Sequence, residues 1–175
     1  MIFFVIKFII WLILLSLALT ALSLAPWVPT RRKDLERIGR IADLKEGQTF
    51  YDLGCGDGRV ALYISQNTPA KAVGIELAIP FYLYCISKLK LNPNPKLSFK
   101  LKNLFKIDLR DADAVYLFAA NSSKLSGKII EKLETELKSG AKVISYAFPI
   151  NSWAPLHIDK PEENDVSIYL YEIKK

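Results

Sequence analysis

The stretch Asp52-Leu53-Gly54-Cys55-Gly56-Asp57-Gly58-Arg59 holds the residues best suited to chemistry in this 175-residue chain. Its three alternate glycines permit backbone angles, and an approach to a ligand, that a Cβ would forbid. The stretch follows an apolar, strand-like run (Thr49 to Leu53) and opens a helix-like one (Arg59 to Gln66). That is the context in which a glycine loop holds a nucleotide-type cofactor. About 20 residues further on, Glu76 ends a second strand, where its carboxylate can accept both hydroxyls of a ribose.

Two cofactor classes compete for such a loop. The dinucleotide fingerprint is Gly-x-Gly-x-x-Gly, with a pyrophosphate over the helix N-terminus. This chain has Gly-x-Gly-x-Gly instead, with Asp52 before it and Asp57 within it. Two carboxylates repel a pyrophosphate but suit an ammonium and a sulfonium. Asp52 can face the amino group of a methionine moiety, so the expected cofactor is S-adenosyl-L-methionine. A ligand-free glycine turn would not require Asp52 and Glu76 at the ends of two strands.

Other reactive residues form no second constellation. Cys55 and Cys85 lack the Cys-x-x-Cys spacing of a zinc site, and they suit a reduced environment. Asp108, Asp111 and Asp113 flank a turn without paired ligands elsewhere and read as solvated, so no metal is expected. His157, the single histidine, falls in a late loop and reads as a surface residue. The formal net charge is +6, but the lysines are scattered and no aromatic-interleaved basic stripe appears. Nucleic acid is therefore not an expected partner; a basic domain beside anionic lipid is the simpler reading.

These residues need a scaffold. Leu35, Ile38, Ile41 and Ala42 recur at helical spacing, with Thr30 placed to cap that helix. Strands are expected over Thr49–Leu53, Lys71–Glu76, Leu97–Lys102, Ala114–Ala119, Lys142–Phe148 and Ser167–Ile173. Helices are expected over Arg59–Gln66, Pro80–Leu91 and Lys124–Lys138. Alternating β and α units imply an α/β, Rossmann-like, mostly parallel sheet, closed by an antiparallel strand. One domain is expected over residues 26–175.

Ahead of that domain, residues 1–25 are almost wholly apolar, with Lys7 the only charge. A bilayer core of about 30 Å takes roughly 20 such residues as a helix, so a single transmembrane anchor is expected. A cleaved signal peptide is the alternative, with Ala21-Leu22-Ser23 or Ser23-Leu24-Ala25 as its cleavage site. Arg31, Arg32 and Lys33 would place the domain on the cytoplasmic side of the membrane.

The Asp52–Arg59 stretch resembles motif I of the class I, seven-stranded methyltransferases. Pro26-Trp27-Val28-Pro29-Thr30 resembles the Pro-x-Val-Pro-Thr element ahead of the fold in one group of protein-lysine methyltransferases. That group includes an archaeal enzyme and the mitochondrial enzymes acting on the ATP synthase c-subunit and the adenine nucleotide translocase. Ser145-Tyr146-Ala147-Phe148-Pro149 and Trp153-Ala154-Pro155 are similar to its Ser-x-x-Phe and Trp-x-Pro elements. The resemblance covers residues 26–175 and implies a seven-stranded sheet. It assigns Thr30 to the methionine carboxylate and Asp52, Gly54, Cys55, Gly56 and Gly58 to the motif I cradle. Glu76 falls on ribose, and Asn103 and Leu104 beside adenine. Ala147 departs from members with an acidic residue there, and Ala119-Ala120-Asn121 departs from the archaeal pattern.

Tyr116, Phe118 and Asn121, at the expected end of the fourth strand, form the candidate acceptor pocket; burial in the strand core is the other reading of each. The chain lacks the Asn/Asp-Pro-Pro-aromatic element of amide and base-amine methylation. The expected function is protein-lysine N-methylation of a membrane-associated protein by a membrane-anchored enzyme. A small-molecule or lipid-head-group methyltransferase and a non-catalytic S-adenosylmethionine-binding module are the alternatives.

Overall fold

The computed structural model describes residues 1–8, 10–11, 14–15, 28–118 and 123–175. Helices α1 (Leu35–Ala42), α2 (Arg59–Asn67), α3 (Ile79–Leu91) and α4 (Ser123–Glu136) accompany seven strands. These are β1 (Thr49–Leu53), β2 (Lys71–Glu76), β3 (Leu97–Leu101), β4 (Ala114–Leu117), β5 (Lys142–Tyr146), β6 (His157–Asp159) and β7 (Ile168–Glu172). They form one sheet in the order β3-β2-β1-β4-β5-β7-β6. The first five are parallel, while β7 runs antiparallel to β5 and β6 antiparallel to β7.

Both faces of the sheet are covered, which is why its central strands read as continuous apolar runs. Phe50, Ala72, Tyr116, Ile144 and Ile168 meet Ile38 and Ile41 of α1 and Val60 and Ile64 of α2. On the opposite face Tyr51, Val73, Val115, Val143 and Tyr171 meet Ile129 and Leu133 of α4 and nearby Leu137. Residues alternate between the two cores along each strand, as the period-2 pleat requires. Strand order reverses at β1, with β2 on one side and β4 on the other. In open α/β sheets the crevice at such a switch point, beyond the strands' carboxyl ends, takes the ligand. Asp52 and Glu76 lie at those ends.

The sequence reading differs from this fold in three places. First, β6 was not expected. Three residues carry too little pattern to read as a strand, yet the register His157↔Leu170, Ile158↔Tyr169, Asp159↔Ile168 makes it the sheet's edge. His157 therefore lies in a strand rather than a loop, and is exposed. Second, β4 ends at Leu117, and residues 119–122 lie outside the described residues.

The third difference corrects the N-terminal segment. Among the described residues, no helix is long and apolar enough to cross a membrane. Apolar composition is necessary for a span, but an unbroken helix of roughly 20 residues is also required. The expected single-pass anchor, and with it the cytoplasmic-face placement argued from Arg31, Arg32 and Lys33, is set aside. The cleavage sites proposed at 21–25 lie outside the described residues, as does the Pro26-Trp27 part of the arm, the segment 26–31 ahead of the 3-10 turn Arg32–Asp34.

A buried ionic network fastens α1 to β6. Arg37 donates from Nε to Asp159 Oδ1 at 2.6 Å and from Nη1 to Asp34 Oδ1 at 2.8 Å. Its Nη2 reaches the carbonyls of Asp159 and Val166 at 2.8 and 3.0 Å. Arg40 adds a bond to Asp159 Oδ2 at 2.9 Å, and Tyr146 donates to Asp34 Oδ2 at 2.6 Å. Removing one member of a buried, fully paired set leaves uncompensated charge, at a cost of about 3–5 kcal/mol. Arg37→Ala, which leaves Asp34 with Tyr146 and Asp159 with the exposed Arg40 as their remaining partners, should therefore lower the unfolding free energy by about 3 kcal/mol in urea titration. A loss under about 1 kcal/mol would mean that the network is solvated.

Candidate active site

The glycine loop is anchored before any ligand arrives. The backbone N–H groups of Gly54 and Cys55 both donate to the carbonyl of Ile75 at 2.9 Å, pulling the loop over the end of β2. Gly54, Gly56 and Gly58 all have positive φ, at 80°, 54° and 73°. The glycines differ in what surrounds them. A Cβ on Gly54 would meet nothing within 4 Å among the described residues, which leaves the loop open to a ligand on that side. A Cβ on Gly58 would stand 2.7 Å from the Phe99 ring and 2.9 Å from the Cys85 sulfur. Gly58 is thus required for packing at the start of α2 as well as for its backbone angle.

Asp52, at the end of β1, is 2% exposed. Its Oδ2 accepts from the N–H of Ala61 at 3.2 Å. Ala61 is the third residue of α2, so Asp52 satisfies one of the donors that a helix start leaves unpaired. One amide does not offset the loss of water. Burial raises the Asp52 carboxyl to about 7; the Ala61 bond opposes the shift, and the charges of Glu76 and Asp57 add to it. A cation beside this carboxyl would relieve it.

Glu76 is held differently. Its Oε1 accepts from the N–H groups of Leu77 and Ala78 at 2.8 and 2.7 Å, and its Oε2 from Gly56 at 2.8 Å. Three backbone donors fix the carboxylate across the loop, leaving lone pairs for further donors such as ribose hydroxyls.

Asp57 changes the charge argument drawn from the sequence. Arg59 grips it in a fork at 2.6 to 3.0 Å. Burial opposes ionisation of Asp57, but the Arg59 fork outweighs it and holds the carboxyl below its usual range. Its charge is spent within the protein. The two carboxylates that bracket the loop are Asp52 and Glu76.

Arg59 also extends Nη1 to the carbonyl of Thr30 at 2.9 Å. Thr30 does not cap a helix, as its place in the sequence had indicated; the 3-10 turn Arg32–Asp34 that follows has no side-chain cap. Its hydroxyl instead shares a buried hydrogen bond of 2.6 Å with that of Tyr116. Tyr116 sits opposite Asp52 in the β1–β4 register, and burial raises its phenol well above the ordinary value. Thr30, Asp52 and Tyr116 are thereby gathered from three separate segments. Tyr116, expected at the acceptor, has its hydroxyl engaged by the arm.

The remaining candidates are more dispersed. Asn103 accepts from the N–H of Phe105 at 2.9 Å, capping the 3-10 turn Leu104–Lys106 beyond β3. Leu104 is buried in the α4-side core. Cys55 is buried under the loop with its thiol against that of Cys85; that hydrogen bond, with burial, raises it well above the usual range. Asn121 lies outside the described residues. Asp108, Asp111 and Asp113 have separate partners in Arg110, the Tyr51 hydroxyl and the Thr49 N–H. Sequence reasoning gave Arg59, Asp34 and Tyr146 no role. The Asp57-x-Arg59 spacing signals the fork, whereas nothing local signals contacts spanning 86 to 115 residues.

The model of the ANTKMT methyltransferase domain family matches residues 52–157, from motif I to the start of β6. The chain belongs to this methyltransferase family. It is 32% identical over 152 residues to a protein-lysine N-methyltransferase of Saccharolobus islandicus, covering 85% of this chain and 93% of that one. It is 30% identical over 154 residues to the adenine nucleotide translocase lysine N-methyltransferase of Mus musculus, covering 85% of this chain and 66% of that protein. Among solved structures, an RNA methyltransferase from Salinibacter ruber in complex with S-adenosyl-L-homocysteine superposes with a TM-score of 0.76. The two are 28% identical, with 83% of this chain and 94% of that one covered. The enzyme is an S-adenosylmethionine-dependent methyltransferase, and the open glycine loop between Asp52 and Glu76 suits that cofactor.

The raised Asp52 carboxyl has two consequences of opposite sign. A cationic cofactor binds the ionised form, so affinity for S-adenosylmethionine should rise as pH increases from 5.5 to about 7.5, through the value of about 7. Stability of the free protein runs the other way. The folded state keeps a proton that the unfolded chain releases near pH 4, so this group's contribution is lost as pH rises from about 4 to about 7. Asp52→Asn should therefore raise the melting temperature of the free protein at pH 8 by about 5 °C. The same substitution should weaken cofactor binding about 100-fold or more and abolish its pH dependence. Calorimetry at two pH values reads both effects, and unchanged affinity would contradict the assignment.

Proposed function

We propose that the enzyme transfers a methyl group from S-adenosylmethionine to the side-chain amine of a lysine in a protein. The observation that carries this reading is the relation to curated protein-lysine methyltransferases across 85% of the chain, motif I included. The site's geometry fits it. Asp52 would hold the ammonium of the methionine moiety, Thr30 would lie by its carboxylate, and Glu76 would accept the ribose hydroxyls. Gly54, Cys55, Gly56 and Gly58 would cradle the cofactor, with Asn103 and Leu104 beside its adenine. Tyr116, Phe118 and Asn121 would border the acceptor.

When bound, the cofactor supplies a methyl carbon whose bond to a cationic sulfur breaks as a nitrogen lone pair arrives, the bonding pair leaving on sulfur. The chain's task is alignment and exclusion of water. A lysine ammonium has a model value of about 10.4 and must release a proton to solvent before its lone pair is free. Loss of water beside the cofactor's cationic sulfur disfavours the charged amine. No dedicated base is required. Tyr116 would act through Thr30, fixing the arm over the cofactor.

The Salinibacter ruber neighbour is an RNA methyltransferase, so this fold serves more than one acceptor class, and the test must separate them. Purified enzyme, given methyl-labelled cofactor and separate fractions of soluble protein, membrane protein, RNA and lipid, should label protein. Acid hydrolysis should return the label as methyl-lysine. Label confined to RNA, lipid or small molecules contradicts the proposal, and cofactor binding without label anywhere indicates a non-catalytic binding module.

A further inference from the structure

The turn leaving β5 is strained, and it carries an aromatic side chain to the acceptor end of the sheet. Ala147 has φ +69°, a left-handed conformation that costs a residue with a Cβ on the order of 1 kcal/mol. The strain is held in place from both sides. Ser145 Oγ donates to the carbonyl of Phe148 at 2.5 Å, and the N–H of Ala147 donates to the carbonyl of Ser167 at 2.9 Å. The turn sets Phe148 beside Phe118, with ring centroids 6.1 Å apart and planes at 27°. Phe118 in turn meets Tyr146 edge-on at 4.8 Å and 78°.

The register places this cluster. Leu117 pairs with Leu53 of β1 and with Ser145 of β5. Phe118 and Tyr146 therefore stand one step beyond, level with Gly54 and the open side of its loop. Tyr146 is tied through its hydroxyl to Asp34, so its ring cannot swing away. Phe118 and Phe148 keep part of their surface exposed. A cluster built only for the core would bury them and would not need a left-handed alanine. Aromatic rings attract cations through their quadrupole, and quaternary ammonium groups most usefully, because those cannot lose their charge.

We propose that Phe118 and Phe148, backed by the buried Tyr146, form an aromatic wall that receives the cationic head of the target side chain, with Phe148 as the specificity-determining residue. The inference rests on the lysine reading above and deepens it. Fixed rings would orient the amine and its methylated forms by cation–π attraction while shedding water from them.

The test uses the full chain saturated with S-adenosylhomocysteine and two probes of matched shape. One is the N-acetyl methylamide of trimethyl-lysine; the other is its neutral isostere, with a tert-butyl carbon in place of the nitrogen. The cation should bind about five-fold tighter or more, the range of a cation–π contact of about 1 kcal/mol. Phe148→Leu should bring that ratio below about two with affinity for S-adenosylhomocysteine within two-fold, while Phe148→Tyr should keep the preference. Equal affinities in the unmodified enzyme, or a ratio unchanged in Phe148→Leu, would overturn the wall. So would equal losses of probe and cofactor binding in both variants. Methyl-lysine recovered with a ratio of one removes the aromatic wall alone; failure to find methyl-lysine removes the lysine reading itself.

Discussion

A carboxyl group taken out of water and given one amide partner is the constraint from which this active site follows. Asp52 has that position, at the end of the central strand, under a loop that must pass close over it. Burial favours its neutral form, so near neutral pH it is divided between a form that suits the free fold and one that suits a cationic ligand. With the cofactor's ammonium as its proposed partner, part of the fold's stability would be traded for binding. Nearby groups respect the division. Asp57 is neutralised by Arg59 two residues on, and Glu76 is fixed by three backbone amides, so Asp52 is left to a ligand's charge.

The rest of the architecture brings distant segments to that carboxyl. The switch point at β1 puts the ends of β2 and β4 on either side of it. Arg59 holds the Asp57 side of the loop and the Thr30 carbonyl together, and Tyr116 takes the Thr30 hydroxyl. The arm, the loop and the fourth strand are therefore joined by hydrogen bonds. Further along the same edge, Tyr146 links Asp34 and the Arg37 network to the rings beyond β5. The Thr30–Tyr116, Tyr146–Asp34 and Arg37–Asp159 links are buried polar bonds with their partners supplied, the condition under which polar groups specify a structure without destabilising it.

How much of this could be read from the sequence depended on the range of each interaction. Strands β1 and β2 are legible to the residue, because their apolar runs end in glycine or in the carboxylate itself. The loop's cofactor class is legible as well, although the second carboxylate facing the loop is Glu76 rather than Asp57. The error was local: a fork to Arg59 neutralises Asp57, and spacing alone does not show which of two carboxylates is already paired. Strand β6 escaped because three residues carry no periodicity, and its position depends on Asp159 finding Arg37 across 122 residues. The left-handed Ala147 is likewise invisible, since alanine carries no signal for positive φ. At 1–25 the apolar composition led to a span, whereas among the described residues no helix is long and apolar enough to cross a membrane.

The central claim, that Asp52 ionises to hold the cofactor's cation, is tested most directly by counting protons released on binding. Isothermal titration of S-adenosylmethionine at pH 6, repeated in buffers of differing ionisation enthalpy, gives that count. With the free carboxyl near 7, nearly one proton should be released per cofactor bound at pH 6, falling several-fold by pH 7.5 and disappearing in Asp52→Asn. Binding at pH 6 without proton release, or with a release that survives the substitution, would contradict the account.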